Sequence, residues 1–275
     1  MRTRPQRPKL GQNFLVSPTA QAAIADALGD ITHRTVVEIG PGRGAITSIL
    51  AGRAQRLIAI ELDRDLAPRL REQFAGRANV QILEQDILST DLAALRAPGE
   101  EKLFVVGNLP YYITSDILLH LFAAHQHIER AVIMIQREVA DRVAASPGTH
   151  DYGLLSATTQ LYARVEKLFT LPPGAFSPPP QVHSTVLRLT MTPRFEELQL
   201  TPTQDQPDPA AAFIAFLRIG FAQKRKMLAK NLRTAGYDPG AITAAFESCN
   251  IPPQSRAEQL DLPTMACLFR VLAQD

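Results

Sequence analysis

Strand and helix patterns alternate along residues 35–162, and this alternation constrains the fold more than any other feature. Apolar, β-branched runs predict strands at 35–39, 56–60, 80–83, 103–106 and 131–135, separated by helical patterns. Such alternation is typical of right-handed βαβ units, which build a parallel sheet covered on both faces. Two further strands, 164–171 and 182–190, follow without a full helix between them, so we predict an antiparallel hairpin at the sheet edge. The predicted fold class is α/β.

The two ends of the chain have other patterns. Residues 1–8 are basic and proline-rich, which predicts a mobile tail. Four prolines lie among polar residues between Met191 and Pro209, a composition typical of a linker. Only helical patterns follow. We therefore predict a first domain over 9–192, a linker over 193–207 and a small all-helical domain over 208–275.

Charge and cysteine content narrow the classes of protein. The net charge is only +2, but the segment from Phe213 to Arg233 holds six basic residues and no acid, which favours a polyanionic partner. Cys249 and Cys267 are too few for a disulfide framework or a zinc site, so we expect reduced thiols in a cytoplasmic protein. No apolar run approaches a membrane span and no apolar segment follows the basic amino end, so neither secretion nor membrane insertion is expected. We expect a monomer.

Two polar clusters have competing interpretations. His120, His125 and His127 have no cysteine or carboxylate at ligand spacing, so we predict solvated surface and no metal. The run 224–226 is basic, and two more cations follow it at helical spacing. This pattern favours a phosphate-binding face over an ordinary solvated helix face.

A glycine-rich turn follows the first predicted strand of the sheet. Gly40, Gly42 and Gly44 suit a tight turn that lets a ligand approach the backbone. Glu61 ends the next strand nineteen residues after Gly42, where a carboxylate can bind ribose hydroxyls. The third glycine comes one residue early for a dinucleotide fingerprint, and Pro41 lacks the N–H that a pyrophosphate would need. A ligand with a ribose but no pyrophosphate fits better, which predicts S-adenosylmethionine.

Polar groups also follow the next two strands. Asp86 could accept a hydrogen bond from the cofactor's adenine amine, or it could simply cap the short helix after it. Asn108 offers an amide oxygen, Leu109 a carbonyl and Tyr111 a flat ring, a set that suits a planar group with an exocyclic amine. The alternative is a loop in which Asn108 caps a turn. Because the carboxyl ends of parallel strands share one edge, we expect all these groups in one site.

Four motifs stand in order along the chain: Lys9–Leu15, Glu38–Gly44, Asn108–Ile113 and Phe176–Pro180. Together they resemble the motifs of the ribosomal RNA adenine N6,N6-dimethyltransferases of the KsgA type, and the match continues through Phe221-x-x-Lys224-Arg225-Lys226 and Arg256-Ala257-Glu258. Each motif is weak alone, whereas their order and spacing are specific. Gln181 and His183 depart from the family pattern, in which a lysine and an acid are common at these positions. The departure affects the expected local contact with RNA or in an ion pair, and not the expected chemistry.

The resemblance implies a Rossmann-like S-adenosylmethionine-dependent methyltransferase domain followed by a helical RNA-binding domain. It implies dimethylation of two adjacent adenosines in a hairpin loop near the 3′ end of small-subunit rRNA, in the immature small ribosomal subunit. The implied cofactor-binding residues are Asn13, Leu15, Gly40, Gly42, Glu61, Asp86 and Asn108. The implied catalytic residues are Asn108, Leu109, Pro110 and Tyr111, with base stacking on Tyr111 and Phe176 and RNA binding by Lys224, Arg225, Lys226, Lys230 and Arg233.

Three rival functions remain at this point. One is a large-subunit rRNA methyltransferase of the antibiotic-resistance type. The second is a nicotinamide-dependent oxidoreductase, which Pro41 and the early third glycine disfavour. The third is a non-catalytic assembly factor that only binds rRNA, which the intact Asn108–Tyr111 motif disfavours.

Overall fold

The computed structural model describes residues 12–97, 99–202 and 207–273, which form two compact units. The first unit comprises the chain up to Ala140 together with Glu166–Thr190, and the second comprises Asp141–Val165 and the chain from Met191 onward. The predicted basic tail over 1–8 lies outside the described residues. No helix in the described ranges is both long and apolar enough to cross a bilayer.

The first unit is built on a seven-stranded sheet and a separate two-stranded one. The strands in chain order are β1 (Phe14–Leu15), β2 (Thr35–Ile39), β3 (Arg56–Glu61), β4 (Val80–Glu84), β5 (Leu103–Asn108), β6 (Ile128–Gln136), β7 (Ala163–Leu171), β8 (Phe176–Ser177) and β9 (Ser184–Met191). The large sheet has the order β4-β3-β2-β5-β6-β9-β7, and β1 pairs with β8. Strands β2 to β6 pair in parallel. Every residue of β2 is buried, as expected for a parallel strand covered on both faces.

The edge of the sheet carries the predicted antiparallel hairpin. Strand β9 pairs antiparallel with β6. The hydroxyls of Thr170 and Thr185 lie 2.9 Å apart, and Arg188 Nε donates to Glu166 at 3.1 Å. Since residue numbers rise along β7 as they fall along β9 at these two contacts, the two strands run antiparallel. The predicted α/β fold, mostly parallel with an antiparallel edge hairpin, is therefore confirmed.

Helices cover the sheet, and four of them lie within the alternating pattern of residues 35–162. They are α1 (Pro18–Ala27), α2 (Ala45–Leu50), α3 (Leu66–Gln73), α4 (Thr114–Ala123) and α5 (Arg137–Val143). The Ser17 hydroxyl accepts from the Ala20 amide at the start of α1, where Pro18 occupies the first turn. The apolar faces of α1 and α2 pack into one core with β2 and β5.

The second unit is helical and begins earlier in the chain than the predicted boundary. Its helices are α6 (Leu154–Tyr162), α7 (Pro209–Gly220), α8 (Leu228–Thr234), α9 (Pro239–Ser248) and α10 (Leu262–Leu272). Asp208 and Asp238 cap α7 and α9 through the amides three residues on. Helix α6 packs against α7 and α10, so it clusters with this unit although the predicted first domain, 9–192, included it.

The described part of the predicted linker, 193–202, packs onto the second unit. Arg194 N donates to the Leu161 carbonyl at 3.0 Å, and the Phe195 ring meets the Tyr162 ring edge-on. Leu198 and Leu200 are buried. The prolines gave the segment its linker-like composition, and the apolar residues between them anchor its described part to the second unit.

A disulfide joins Cys249, which follows α9, to Cys267 on α10. The Cα atoms lie 6.0 Å apart, within the usual range for such a bond. The expectation of two reduced thiols is therefore wrong for this structure. The count of cysteines could not reveal the pairing, because it depends on α9 and α10 packing side by side.

Candidate active site

The carboxyl ends of four neighbouring strands line one cavity of about 500 Å³ in the first unit. Strands β4, β3, β2 and β5 are adjacent in the sheet, so the residues that follow them meet at one edge. The cavity brings together every predicted cofactor-binding and catalytic residue: Asn13, Leu15, Gly40, Gly42, Glu61, Asp86, Asn108, Leu109, Pro110 and Tyr111.

The glycine turn between β2 and α2 forms one wall of this cavity. Gly40 and Gly42 have φ values of 65° and 60°, a region that side chains with a Cβ rarely adopt. A Cβ added to Gly42 would also come within 3.0 Å of the Phe14 ring. The Arg43 guanidinium stacks on the same ring, with its Cζ atom 4.4 Å from the ring centroid. The turn therefore holds Phe14 against the cavity wall.

Glu61 at the end of β3 is held by two main-chain amides. Its carboxylate accepts from Gly42 N at 3.0 Å and from Asp63 N at 2.9 Å. The side chain is only 4% exposed, and this burial raises the pKa of Glu61 although the amides oppose the shift. The carboxylate retains further acceptor capacity, because an ionised carboxylate offers about four lone-pair sites. It can therefore bind hydroxyl groups of a ligand.

Glu38 is a second buried carboxylate on the cavity wall, and the motif analysis did not give it a role. Burial raises its pKa to about 7, and the nearby charge of Glu61 adds to the shift while Thr47 opposes it. Its Oε2 atom is buried with no partner in the described parts of the chain. An acid inside a largely apolar strand, two residues before the first glycine of the turn, is the sequence signal that could have identified it.

The two carboxylates test the predicted cofactor. S-adenosylmethionine carries a sulfonium and an ammonium, and a cavity with two buried carboxylates favours positive charge. A dinucleotide would instead bring a pyrophosphate to the turn where Pro41 offers no N–H. The polar groups that line the cavity therefore fit S-adenosylmethionine and disfavour the oxidoreductase alternative.

The Asp86 side chain caps a short helix. Its Oδ1 atom accepts from Leu88 N at 2.9 Å, at the start of a 3-10 turn over Ile87–Ser89. Asp86 also lines the cavity. The capping bond uses one carboxylate oxygen, so a bond from a ligand amine to the other oxygen stays a prediction.

The Asn108–Tyr111 segment is fixed by main-chain and side-chain bonds. The Asn108 amide nitrogen donates to the Asn13 carbonyl at 3.1 Å, which leaves its oxygen to accept. Leu109 N donates to Met134 O on β6 at 3.0 Å, and the Thr114 hydroxyl donates to the Pro110 carbonyl at 3.0 Å. Two acceptors, the Asn108 amide oxygen and the Leu109 carbonyl, thus come from adjacent residues of one rigid segment.

A second cavity, of about 680 Å³, shares a wall with the first. Four residues line both cavities: Gln12, Asn13, Phe14 and Tyr111. The second cavity is also lined by Gln136 and by the segment 178–182, with its three prolines. Phe176, a predicted stacking residue, lies elsewhere: it is 3% exposed, packs in the apolar core and lines neither cavity.

The predicted RNA-binding cations lie in the second unit. Lys224, Arg225, Lys226, Lys230 and Arg233 are all exposed. Lys224 donates to the His150 carbonyl, so part of its donor capacity is used within the unit. The buried Asn231 side chain donates to the Gly220 carbonyl at 2.6 Å and to that of Gln223 at 3.3 Å, which holds the loop that carries the first three cations.

The three clustered histidines are half-buried, so the prediction of solvated surface is wrong for them. His120 Nε2 lies 2.9 Å from the Thr90 carbonyl, and His125 Nδ1 lies 2.8 Å from that of Phe122. The contact between His120 and Thr90 joins residues 30 positions apart, which sequence spacing does not reveal. Within the described ranges, no cluster of three or more potential metal ligands occurs.

Comparisons with known proteins identify the family. The family model described as "Ribosomal RNA adenine dimethylase" matches residues 4–274. The chain is 62% identical to the ribosomal RNA small subunit methyltransferase A of Acidobacterium capsulatum, over 97% of this chain and 91% of the relative. It is 52% identical to the protein of that name from Koribacter versatilis, over 97% and 94% of the two chains.

Solved structures resemble the whole fold. The crystal structure of the 23S rRNA methyltransferase ErmE has a TM-score of 0.70 at 26% identity and covers 95% of this chain and 100% of its own. A dimethyladenosine transferase from Plasmodium falciparum has a TM-score of 0.73 at 24% identity over 93% and 95% of the two chains, a likeness of fold. The family match spans almost the whole sequence and the predicted residues line one cavity. The chain belongs to the ribosomal RNA adenine dimethylase family.

Proposed function

We propose that the chain dimethylates the N6 amines of two adjacent adenosines in a hairpin loop near the 3′ end of small-subunit rRNA, within the immature small ribosomal subunit. The observation that carries this proposal is the shared wall of the two cavities at Asn13, Phe14 and Tyr111, next to Asn108. One cavity suits the cofactor and the other suits a flipped base. The small-subunit specificity rests on the names of the relatives at 62% and 52% identity.

The first cavity would bind S-adenosylmethionine, which supplies the methyl group on its sulfonium. Glu61 would accept from the ribose hydroxyls and Asp86 from the adenine amine. The glycine turn would let the backbone at Gly40 approach the ligand closely. Asn13 and Leu15 would cover it from the amino-terminal segment.

The Asn108–Tyr111 segment would position the target amine. An adenine amine is a weak nucleophile because its lone pair is delocalised into the ring. The Asn108 amide oxygen and the Leu109 carbonyl would accept its two hydrogens and favour a geometry that frees the lone pair toward the methyl group. Once methylated, the nitrogen is acidic and releases its proton to solvent, so no strong base is needed.

The target base would leave its stack and enter the second cavity. Unstacking costs a few kcal/mol, and stacking on an aromatic ring returns about 1–3 kcal/mol per base. Tyr111 lines both cavities and would supply that ring. Phe176 is buried in the core, so we assign it no contact with the base.

The second unit would bind RNA through its exposed cations. Arg225, Lys226, Lys230 and Arg233 would contact phosphates, with Lys224 as a partial contributor because it already donates within the unit. We further propose that the protein acts as a cytoplasmic monomer. A reducing cytoplasm favours free thiols at Cys249 and Cys267, whereas the structure joins them in a disulfide. Thiol titration of protein purified without reductant distinguishes the two states.

Methyl transfer assays decide between this function and its rivals. Purified protein is incubated with radiolabelled S-adenosylmethionine and either unmethylated small subunits or free large-subunit rRNA. We expect label in small-subunit rRNA, at N6,N6-dimethyladenosine. Label in large-subunit rRNA alone would favour the alternative suggested by the likeness to the 23S rRNA methyltransferase at 26% identity. Binding without transfer would favour an assembly factor.

A further inference from the structure

The Tyr111 hydroxyl makes a hydrogen bond to a residue that no motif singled out. It lies 2.9 Å from the Ser184 hydroxyl, 73 residues further along the chain. Ser184 is the first residue of β9 and is 0% exposed. Tyr111 belongs to a short 3-10 turn after Pro110 and is half-buried.

The Ser184 end of this bond is rigid. Ser184 pairs with Gln136, the last residue of β6. The preceding carbonyl, His183 O, accepts from Arg137 N at 3.0 Å. The main chain that carries the serine hydroxyl is therefore fixed in the sheet.

The Tyr111 ring is consequently fixed at both of its ends. Its Cα follows the end of β5, and its hydroxyl is bonded at the start of β9. Between these two points, Tyr111 lines both cavities. A side chain fixed before a ligand arrives loses little rotamer freedom on binding, which strengthens the contact that it makes.

We propose that Ser184 is a positioning residue for the target adenosine, acting through the Tyr111 hydroxyl to hold the ring as a preformed stacking surface. This inference rests on the proposed function. It also assigns the Tyr111 hydroxyl an orienting role within the protein, so the base meets the face of the ring. Ser184 itself does not touch cofactor or RNA.

The test compares Ser184→Ala with Thr185→Val, which also removes one partly buried hydroxyl bond from β9 but does not touch Tyr111. RNA docks mainly through phosphates, so the hydrogen bond should affect the flipped base and not the docking step. We expect Ser184→Ala to lower kcat on unmethylated small subunits by about threefold to tenfold, the range for one neutral hydrogen bond, with KM and S-adenosylmethionine affinity unchanged. Thr185→Val should keep the wild-type kcat, and Ser184→Thr, which retains a hydroxyl, should recover most of the loss.

A double-mutant cycle with Tyr111→Phe isolates the bond. Both single variants remove the same interaction, so the double variant should have a kcat no lower than the worse single one. The proposal is overturned if the two losses multiply, if Ser184→Ala keeps the wild-type kcat, or if Thr185→Val loses as much. If Ser184→Ala does not fold, Ser184→Cys, a weak donor of similar volume, replaces it in the cycle with the same criteria. Failure of the proposed function is distinct, because the wild-type protein would then not methylate small subunits at all.

Discussion

The Asn108 side-chain nitrogen donates to the Asn13 main-chain carbonyl at 3.1 Å, across 95 positions of the chain. This bond orients the Asn108 amide and so sets the direction in which its oxygen can accept. The amino-terminal segment therefore contacts the proposed catalytic residue and also lines the cavity. Asn108 is therefore the first residue to test.

Asn108→Ala should lower turnover by about 10²–10³, because it removes an acceptor that matters most as charge develops on the amine. Single-turnover methyl transfer on small subunits measures this. Asn79→Ala is the matched control, since its amide also donates to main-chain carbonyls, those of Ala51 and Ala54, away from the cavity. Equal turnover in the Asn108 and Asn79 variants would contradict the assigned role.

Glu61→Ala should weaken S-adenosylmethionine binding by roughly 1.5–3 kcal/mol, the loss expected when hydroxyls lose a charged acceptor. Titration calorimetry measures the change. Glu61→Gln keeps an acceptor oxygen and should lose less. An unchanged dissociation constant in a folded Glu61→Ala protein would mean that the ribose lies elsewhere.

Glu38 should make stability depend on pH. Burial raises its pKa from 4.5 in the unfolded chain to about 7 in the folded protein, so the folded state holds the proton more tightly. The stabilisation is complete below the unfolded pKa and is lost as pH rises through the folded one, by roughly 3 kcal/mol in total. We expect the free energy of unfolding of wild type minus that of Glu38→Gln to fall across this window in cofactor-free protein. Parallel pH curves for the two proteins would refute the assignment.

Reversing Arg225 and Lys226 to Glu should weaken binding to small subunits and flatten its salt dependence. Each lost phosphate contact lowers the slope of log affinity against log salt by about one. Arg69 and Arg77, exposed arginines of the first unit, give a control with the same change in charge. Cofactor affinity should not change in either double variant. An unaltered salt slope would identify the patch as an ordinary solvated surface.

The disulfide should stabilise the second unit. It closes a loop of 18 residues, for which chain entropy predicts about 3 kcal/mol. Reductant should therefore lower the denaturant midpoint of the wild-type protein but not that of a variant with both cysteines changed to Ser. If reductant shifts both proteins equally, the bond does not form in solution.

Much of the fold could be predicted because its signals are local. Helix α4 occupies Thr114–Ala123, within the helical pattern between the predicted strands 103–106 and 131–135, because apolar spacing and the preceding Pro110 favour a helix there. The glycine turn and Glu61 were also predictable, because parallel strands bring their ends to one edge. The helix is recognised by a period of about four residues, and the turn and Glu61 are recognised by their place after a predicted strand.

The missed features depend on contacts between distant segments. Strands β1 and β8 are two residues long, too short to show a period, and only their pairing defines them. Ser184 reads as an ordinary strand residue until the fold brings it to Tyr111. Phe176 looked like a stacking residue in its motif, whereas the tertiary core buries its ring.

The pairing of β1 with β8 has a consequence for synthesis. Phe14 and its partner Ser177 are far apart in the sequence, so Ser177 is made long after Phe14. Until then the amino-terminal segment lacks its partner strand, and the cavity wall that it forms with Asn108 lacks that support. A nascent chain therefore cannot complete this wall of the cavity before Ser177 has been made.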